Sequence, residues 1–201
     1  MNVLLITSSP RVDSHSTRVA RSLADKLAGT TPNSTIKVRD LTREHLPHID
    51  DSFAAARNAD PKTLTSAQRA VLARSDALLD ELFAANTVII AAGMINFGIP
   101  SNLKAYIDYI VRPGVTFKYG DKGPEGLVQG KKVYLVLARG GVYSQGPMQT
   151  LNFQDPYLKA SLGFLGMTDV EVIAIEGVAF GPEAESKAVA GALAQVSAIA
   201  A

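Results

Sequence analysis

The chain has 201 residues, 47% of them hydrophobic and 19% charged, which excludes a disordered chain and suits one domain with its own core. With 20 Lys and Arg against 19 Asp and Glu the formal charge is +1, so no electrostatic excess points to nucleic acid or to anionic lipid. Cysteine is absent, which removes disulfide frameworks, thiol catalysis, zinc fingers and iron–sulfur clusters.

The chain begins Met1-Asn2-Val3-Leu4-Leu5-Ile6-Thr7, with no leading positive charge and an apolar run too short for a signal peptide. No segment approaches the roughly 18 apolar residues of a spanning helix. A cytoplasmic protein, soluble in water, is the expectation. The run Val3 to Ile6 reads as a strand buried on both faces, as do Thr87 to Ala91, Val133 to Leu137 and Val170 to Ile175. Thr35-Ile36-Lys37-Val38-Arg39 alternates instead, which suits a strand at a sheet edge.

Helical stripes separate these strands. Val19, Ala20, Leu23, Ala24 and Leu27 form the first, with Gly29 as its stop. Val71, Leu72, Leu78, Leu79, Leu82 and Phe83 form another, started by the capping-box pattern Thr65-Ser66-Ala67-Gln68. Leu103, Tyr106, Ile107, Ile110 and Val111 follow Pro100-Ser101, and a further helix is expected from Asp155-Pro156, with Asp155 as N-cap, to near Gly166. An Ala-rich helix follows Gly181-Pro182-Glu183. Five alternations of strand and helix predict an α/β doubly wound parallel sheet with helices on both faces, and the edge-like second strand favours the order 2-1-3-4-5. Residues 1–201 read as a single domain.

Two stretches fit no regular pattern. Residues 41–64 hold Pro47, Asp50, Asp51, Asn58 and Pro61, with a short helix around Phe53, and residues 113–131 hold five glycines. His45 and His48 beside Asp50 and Asp51 faintly suggest a metal cluster. Pro47 between the histidines argues against a helical ligand pair, and no metal site is assigned.

In such a sheet, ligands bind beyond the carboxyl ends of the strands, near the switch in strand order. The first loop there, Thr7 to Thr17, is rich in hydroxyls and ends at a helix start, whose free N–H groups favour phosphate. Ser9, Ser14, Ser16 and Thr17 are donors, Arg11 and Arg18 add charge nearby, and His15 suits a phosphate-contacting role better than that of a general acid. The alternative is that the hydroxyls only cap the helix. Neither Gly-x-Gly-x-x-Gly nor the Gly-Lys-Ser/Thr of a P-loop is present. The second loop, Gly93-Met94-Ile95-Asn96-Phe97-Gly98, and the third, Ala138-Arg139-Gly140-Gly141, can hold a flat ring through apolar contact and close backbone approach, or can be ordinary buried turns. Together the three describe a mononucleotide with a planar head group, and in a 2-1-3-4-5 sheet that points to FMN.

At these residues the chain resembles the bacterial FMN-dependent NADH-azoreductases, a flavodoxin-like family related to NAD(P)H quinone reductases. The carriers are Ser9 with Ser14-His15-Ser16, Met94-Ile95-Asn96-Phe97 and Ala138-Arg139-Gly140-Gly141, supported by Arg112 to Phe117, Gly123 to Leu127, Leu162 to Gly166 and Glu176-Gly177. Where the family commonly has Pro-Met-Tyr-Asn-Phe this chain has Gly93 and Ile95, and Ala138 replaces the common Ser before Arg-Gly-Gly.

The resemblance implies one non-covalent FMN per subunit, a homodimer, and NADH or NADPH as donor. It also implies reduction of quinones and cleavage of azo compounds to amines by ping-pong hydride transfer through FMN. By it, Ser9, Ser14, His15 and Ser16 hold the phosphate end, while Met94, Ile95, Asn96, Phe97, Ala138, Arg139, Gly140 and Gly141 flank the ring, with backbone N–H groups as donors. No catalytic side chain is implied, because the flavin carries the chemistry. Apolarity and loop position suggest Phe117, Tyr119, Tyr143 and Phe164 as an acceptor wall, some of them contributed by the second subunit of the dimer. A flavodoxin-type electron carrier, or a flavin, nitro or metal-oxyanion reductase on the same scaffold, stays open. Carriers of that type tend to be strongly acidic, against the +1 here.

Overall fold

Strands form where the β-branched runs lie: β1 (Asn2–Thr7), β2 (Thr35–Asp40), β3 (Thr87–Gly93), β6 (Lys132–Arg139) and β7 (Asp169–Glu176) make one parallel sheet of order β2-β1-β3-β6-β7. Counting sheet strands alone, this is the expected 2-1-3-4-5. A computed structural model supplies the coordinates, which describe residues 1–60 and 62–200; Pro61 of the irregular stretch lies outside the described residues. Between the strands run α1 (His15–Thr30), α2 (Asp51–Asn58), α3 (Ser66–Ala84), α4 (Ser101–Ile110), α5 (Gln154–Phe164) and α6 (Pro182–Ala198).

The period-2 geometry of a strand divides each apolar run between two cores. Leu4, Ile6, Val88, Ile90, Val133, Leu135 and Leu137 face one side, under α2 through α5. Val3, Leu5, Ile89, Ala91, Tyr134 and Val136 face the other, under α1 and α6. The capping box of α3 forms as its sequence predicts: the Gln68 amide donates to Thr65 Oγ1, and the Thr65 amide donates to Gln68 Oε1. Asp50, considered above beside the histidines, caps α2 by accepting from the Phe53 amide at 2.8 Å.

Four expectations need correction. Strand β7 is not buried on both faces; it pairs only with β6, and its first half is half-exposed. Its Asp169 and Glu171 both pair with Lys132, and charges of this kind blunt a sheet edge. Gly29 does not stop α1, which runs to Thr30; the Thr30 hydroxyl donates to the Leu27 carbonyl at 3.0 Å, so one free carbonyl is satisfied without a left-handed glycine. Helix α5 starts at Gln154 with Phe153 at its N-cap, so Asp155 is not the cap; its carboxylate accepts instead from Arg139 and Asn152.

The glycine-rich stretch 113–131, finally, contains a hairpin of β4 (Phe117–Gly120) and β5 (Gly123–Gly126). It lies against the end of α5, where a Cβ at Gly126 would stand 2.2 Å from the Gly166 nitrogen, so no larger residue fits there.

Tyr106 on α4 is 2% exposed, and its hydroxyl has no hydrogen-bond partner among the described residues. Burial pushes its phenol well above the ordinary value, with the nearby Glu81 carboxylate acting in the same direction. An unsatisfied buried hydroxyl costs about 1–3 kcal/mol. Tyr106→Phe is therefore expected to raise the melting temperature by a few degrees, on the scale of about 2–4 °C per kcal/mol for a chain this long. Calorimetry that finds a lower melting temperature would show that the hydroxyl is satisfied.

Candidate functional site

The loops that follow β1, β3, β6 and β7 converge at the carboxyl edge of the sheet. They enclose a cleft of about 300 Å³ lined by Ser9, Pro10, Arg11, Ser14, His15, Ser16, Gly93, Met94, Ile95, Pro100, Ala138, Arg139, Gly140, Val178 and Ala179. The strand order sets its polarity. Hydroxyls and a helix start come from the β1 side, and aliphatic groups from the β3, β6 and β7 sides.

On the polar side, Ser14 caps α1. Its hydroxyl accepts from the Thr17 amide at 3.3 Å and shares a hydrogen bond with the Ser16 hydroxyl at 3.1 Å. The amides of His15 and Ser16, in the first turn, have no acceptor among the described residues and carry the positive end of the helix dipole. The Arg11 amide donates to Ser9 Oγ at 3.3 Å, which folds this loop over the cleft. The loop is anchored from behind: Ser8 donates to the Ala91 carbonyl through both its amide and its hydroxyl, and Asn102 donates to the Ser8 carbonyl.

On the apolar side, Ile95-Asn96-Phe97-Gly98 makes a tight two-residue turn, with Ile95 and Gly98 exchanging amide–carbonyl bonds at 3.1 and 3.0 Å. Both central residues have positive φ, 46° at Asn96 and 69° at Phe97. This is the type I′ geometry. Asn tolerates it; a bulky Phe there is strained by roughly 1–2 kcal/mol. The Phe153 amide donates to the Phe97 carbonyl at 3.0 Å and holds the turn in place.

Arg139 ties the loop after β6 to its neighbours. Its backbone lines the cleft, but its side chain, 2% exposed, turns away. Its guanidinium donates to Gln154 at 3.0 Å, Asp155 at 2.6 Å and Glu176 at 2.9 Å. Glu176 accepts in turn from the Tyr143 amide at 2.8 Å and from the Ser144 hydroxyl. Backbone bonds then join the loops after β6 and β7: Gly177 to Gly141, Val178 to Arg139 and Ala179 to Gly140, amide to carbonyl in each case.

Among the sequence candidates, the cleft brings together Ser9, Ser14, His15, Ser16, Met94, Ile95, Ala138, Arg139 and Gly140. It does not include Asn96, Phe97 or Gly141, which stand beside it in the same loops. The four residues suggested as an acceptor wall do not line this cleft within one protomer. Phe117 is a core residue, tilted against Phe164 at 4.6 Å and edge-on to Tyr119 at 5.5 Å, because the hairpin tucks it under α5. Phe164 is packed partly buried against the same core, and Tyr119 is exposed. Tyr143 meets Phe97 edge-on at 6.2 Å, beside the turn. Val178 and Ala179 line the cleft from a loop that sequence reasoning did not place at the site. The signal was topological, since a fourth strand end, that of β7, had to open onto the same edge.

Residues 1–200 match the family described as having a flavodoxin-like fold. Among curated proteins, the FMN-dependent NADH:quinone oxidoreductase 1 of Rhizobium etli is 54% identical over 199 residues, covering 99% of this chain and 98% of that protein. The corresponding oxidoreductase of Agrobacterium fabrum is 52% identical over 200 residues, covering 99% and 98%. Among solved structures, an azoreductase from Bacillus anthracis is 30% identical with a TM-score of 0.89, covering 98% of this chain and 96% of that one. An FMN-dependent NADH-azoreductase from the same species, in complex with FMN, is 29% identical with a TM-score of 0.85, covering 98% of each.

Burial by itself would push the Glu176 carboxyl up, but the Ser144 hydroxyl, the Tyr143 amide and the Arg139 guanidinium outweigh it and hold the group below its ordinary value of 4.5. The lowered folded pKa means that this contribution is complete above the unfolded value. It is lost as pH falls through the folded one. Glu176→Gln is expected to cost about 1–3 kcal/mol at pH 7. The difference in melting temperature between wild type and variant should narrow as the pH drops below about 4.5. A pH-independent difference would assign the loss to packing.

Proposed function

The chain belongs to the flavodoxin-like family, and from that premise we infer that it is an FMN-dependent oxidoreductase that passes electrons from NADH to quinones and to azo compounds. The observation that carries the reading is the polarity of the cleft: unpaired helix amides and serine hydroxyls at one end, and aliphatic side chains with close backbone at the other. That donor set fits a phosphate joined to a flat apolar ring.

Ser9, Ser14, Ser16 and the amides of His15 and Ser16 would hold the phosphate of FMN; Met94, Ile95, Ala138 and Gly140 would flank its ring. Bound FMN supplies the redox chemistry, accepting hydride from the donor and delivering it to the acceptor. The protein's own tasks are to bind, orient and exclude water. The small residues Ala138, Gly140 and Ala179 keep the floor flat, and Ile95 gives an aliphatic wall. Backbone N–H groups of the two ring loops are the nearest donors for charge that develops on the ring.

The exposed apolar groups around the cleft support a homodimer that covers it. Phe97, Met148, Phe153 and Phe180 are 40%, 41%, 59% and 68% exposed and lie on the turn and on the loops after β6 and β7. A cluster of this kind on a monomer marks an interaction surface. No helix among the described residues is long and apolar enough to cross a membrane. The reading includes a cytoplasmic location, where the nicotinamide donor is regenerated.

The test is a visible spectrum of the protein reconstituted with FMN and desalted. The yellow colour is expected to persist, to bleach under anaerobic NADH and to return on adding a quinone or an azo dye. A chromophore that NADH leaves untouched would point to an electron carrier instead. In the cradle, Ser9→Ala with Ser16→Ala is expected to weaken FMN binding by about tenfold or more, at roughly 1.5–3 kcal/mol per charge-assisted hydrogen bond. Unchanged affinity by fluorescence titration would place the phosphate elsewhere.

A further inference from the structure

A second cavity, of about 530 Å³, opens from the polar end of the cleft, between the starts of α1 and α6. It shares Arg11, Ser14 and His15 with the cleft, so the two meet where the phosphate of the cofactor is placed. Its walls carry Arg11, Arg18 and Arg21, together with Asp13 and Glu185. None of the three guanidinium groups pairs with a carboxylate among the described residues, although 19 acidic residues are available in the chain. His15 between the cavities is 10% exposed on its side chain; its Nε2 stands 3.4 Å from Glu185, and its buried Nδ1 has no hydrogen-bond partner among the described residues.

We propose that this arginine-lined cavity is a subsite for a nucleoside monophosphate. Three cations without partners beside a helix start select an anion, and guanidinium forks fit phosphate oxygens in pairs. The acidic pair argues for more than bare phosphate. Asp13 and Glu185 offer acceptors that suit ribose hydroxyls, which inorganic phosphate lacks. A cavity of this volume admits a nucleoside. Its position adjoining the cofactor phosphate leaves two sources for the same chemistry. One is the adenylate half of a flavin extended beyond FMN; the other is the adenosine end of the nicotinamide donor.

The proposal rests on the cofactor reading above, and the experiment separates the two. Adenosine 5′-monophosphate is titrated calorimetrically into wild type with and without bound FMN, and inorganic phosphate into parallel samples. Saturable AMP binding, tighter than that of phosphate, is expected in both forms. Arg18→Ala with Arg21→Ala should weaken it by about tenfold or more while the FMN Kd stays within about twofold, because neither arginine lines the FMN cleft.

Two further arms identify the source. If the site takes the adenylate of FAD, the double variant loses affinity for FAD and keeps it for FMN. If it takes the donor, the double variant raises the donor KM more than it lowers kcat. Absence of AMP saturation up to about 10 mM, or equal binding by the double variant, overturns the proposal even where FMN binds normally. Binding of phosphate as tight as that of AMP overturns the nucleoside part. Failure of FMN to bind wild type would sink the cofactor reading and leave the AMP result on the apoprotein to be judged by the same criteria.

Discussion

An arginine side chain stays charged at every pH a protein meets, and Arg139 keeps its own 2% exposed. Such a charge persists in an interior only where carboxylates and hydrogen bonds replace water. Asp155 from the start of α5, Glu176 from the end of β7 and Gln154 supply them. Meeting that requirement fixes the relative positions of three chain segments that are remote in sequence. It also turns the loop after β6 so that backbone, not guanidinium, faces the cleft. The course of the loop after β6 along the cleft is thus a consequence of where one buried cation found its partners.

The same demand explains where the sequence misleads. The β-branched runs announce all five sheet strands, and the even or odd position of each apolar residue assigns it to one of two cores. The capping box of α3 is equally legible, because its two partners sit three residues apart on one turn. Asp155-Pro156, in contrast, reads as a helix start by every local rule. The tertiary claim of Arg139 on that carboxylate moves the cap back to Phe153. The edge status of β7 was written in Glu171, one charge inside an otherwise apolar run, and was outweighed by its neighbours. The turn at 95–98 carries only half of the usual signal, with Asn at one left-handed position and Phe, where glycine is favoured, at the other.

The candidate site was legible to the extent that it follows from topology. The hydroxyl-rich loop and the two ring loops fall at strand ends by counting alone. Side-chain direction does not, and so neither the ion pairs of Arg139 nor the burial of Phe117 can be read from the loops alone. Arg139 has its partners 15 or more residues away along the chain, and Phe117 packs on Phe164 of a different element. Val178 and Ala179 have no chemical signature at all; they line the cleft because small side chains let the loop after β7 approach the loop after β6.

Phe97 brings stability and function into direct opposition. A phenylalanine at φ 69° is a strained choice in an isolated turn, and glycine would relieve it. The ring is nevertheless 40% exposed, beside Ile95 at 48%, and edge-on to Tyr143, while the carbonyl of the same residue accepts from Phe153. Glycine would keep the backbone bond and lose the apolar surface at the mouth of the cleft. Strain of this size is retained where surrounding contacts over-determine the conformation, and here the bonds between Ile95 and Gly98, together with the one from Phe153, do so. The turn is therefore a rigid shelf at the mouth of the cleft, and its rigidity fits chemistry in which the protein's part is to hold a flat ring still between two successive partners.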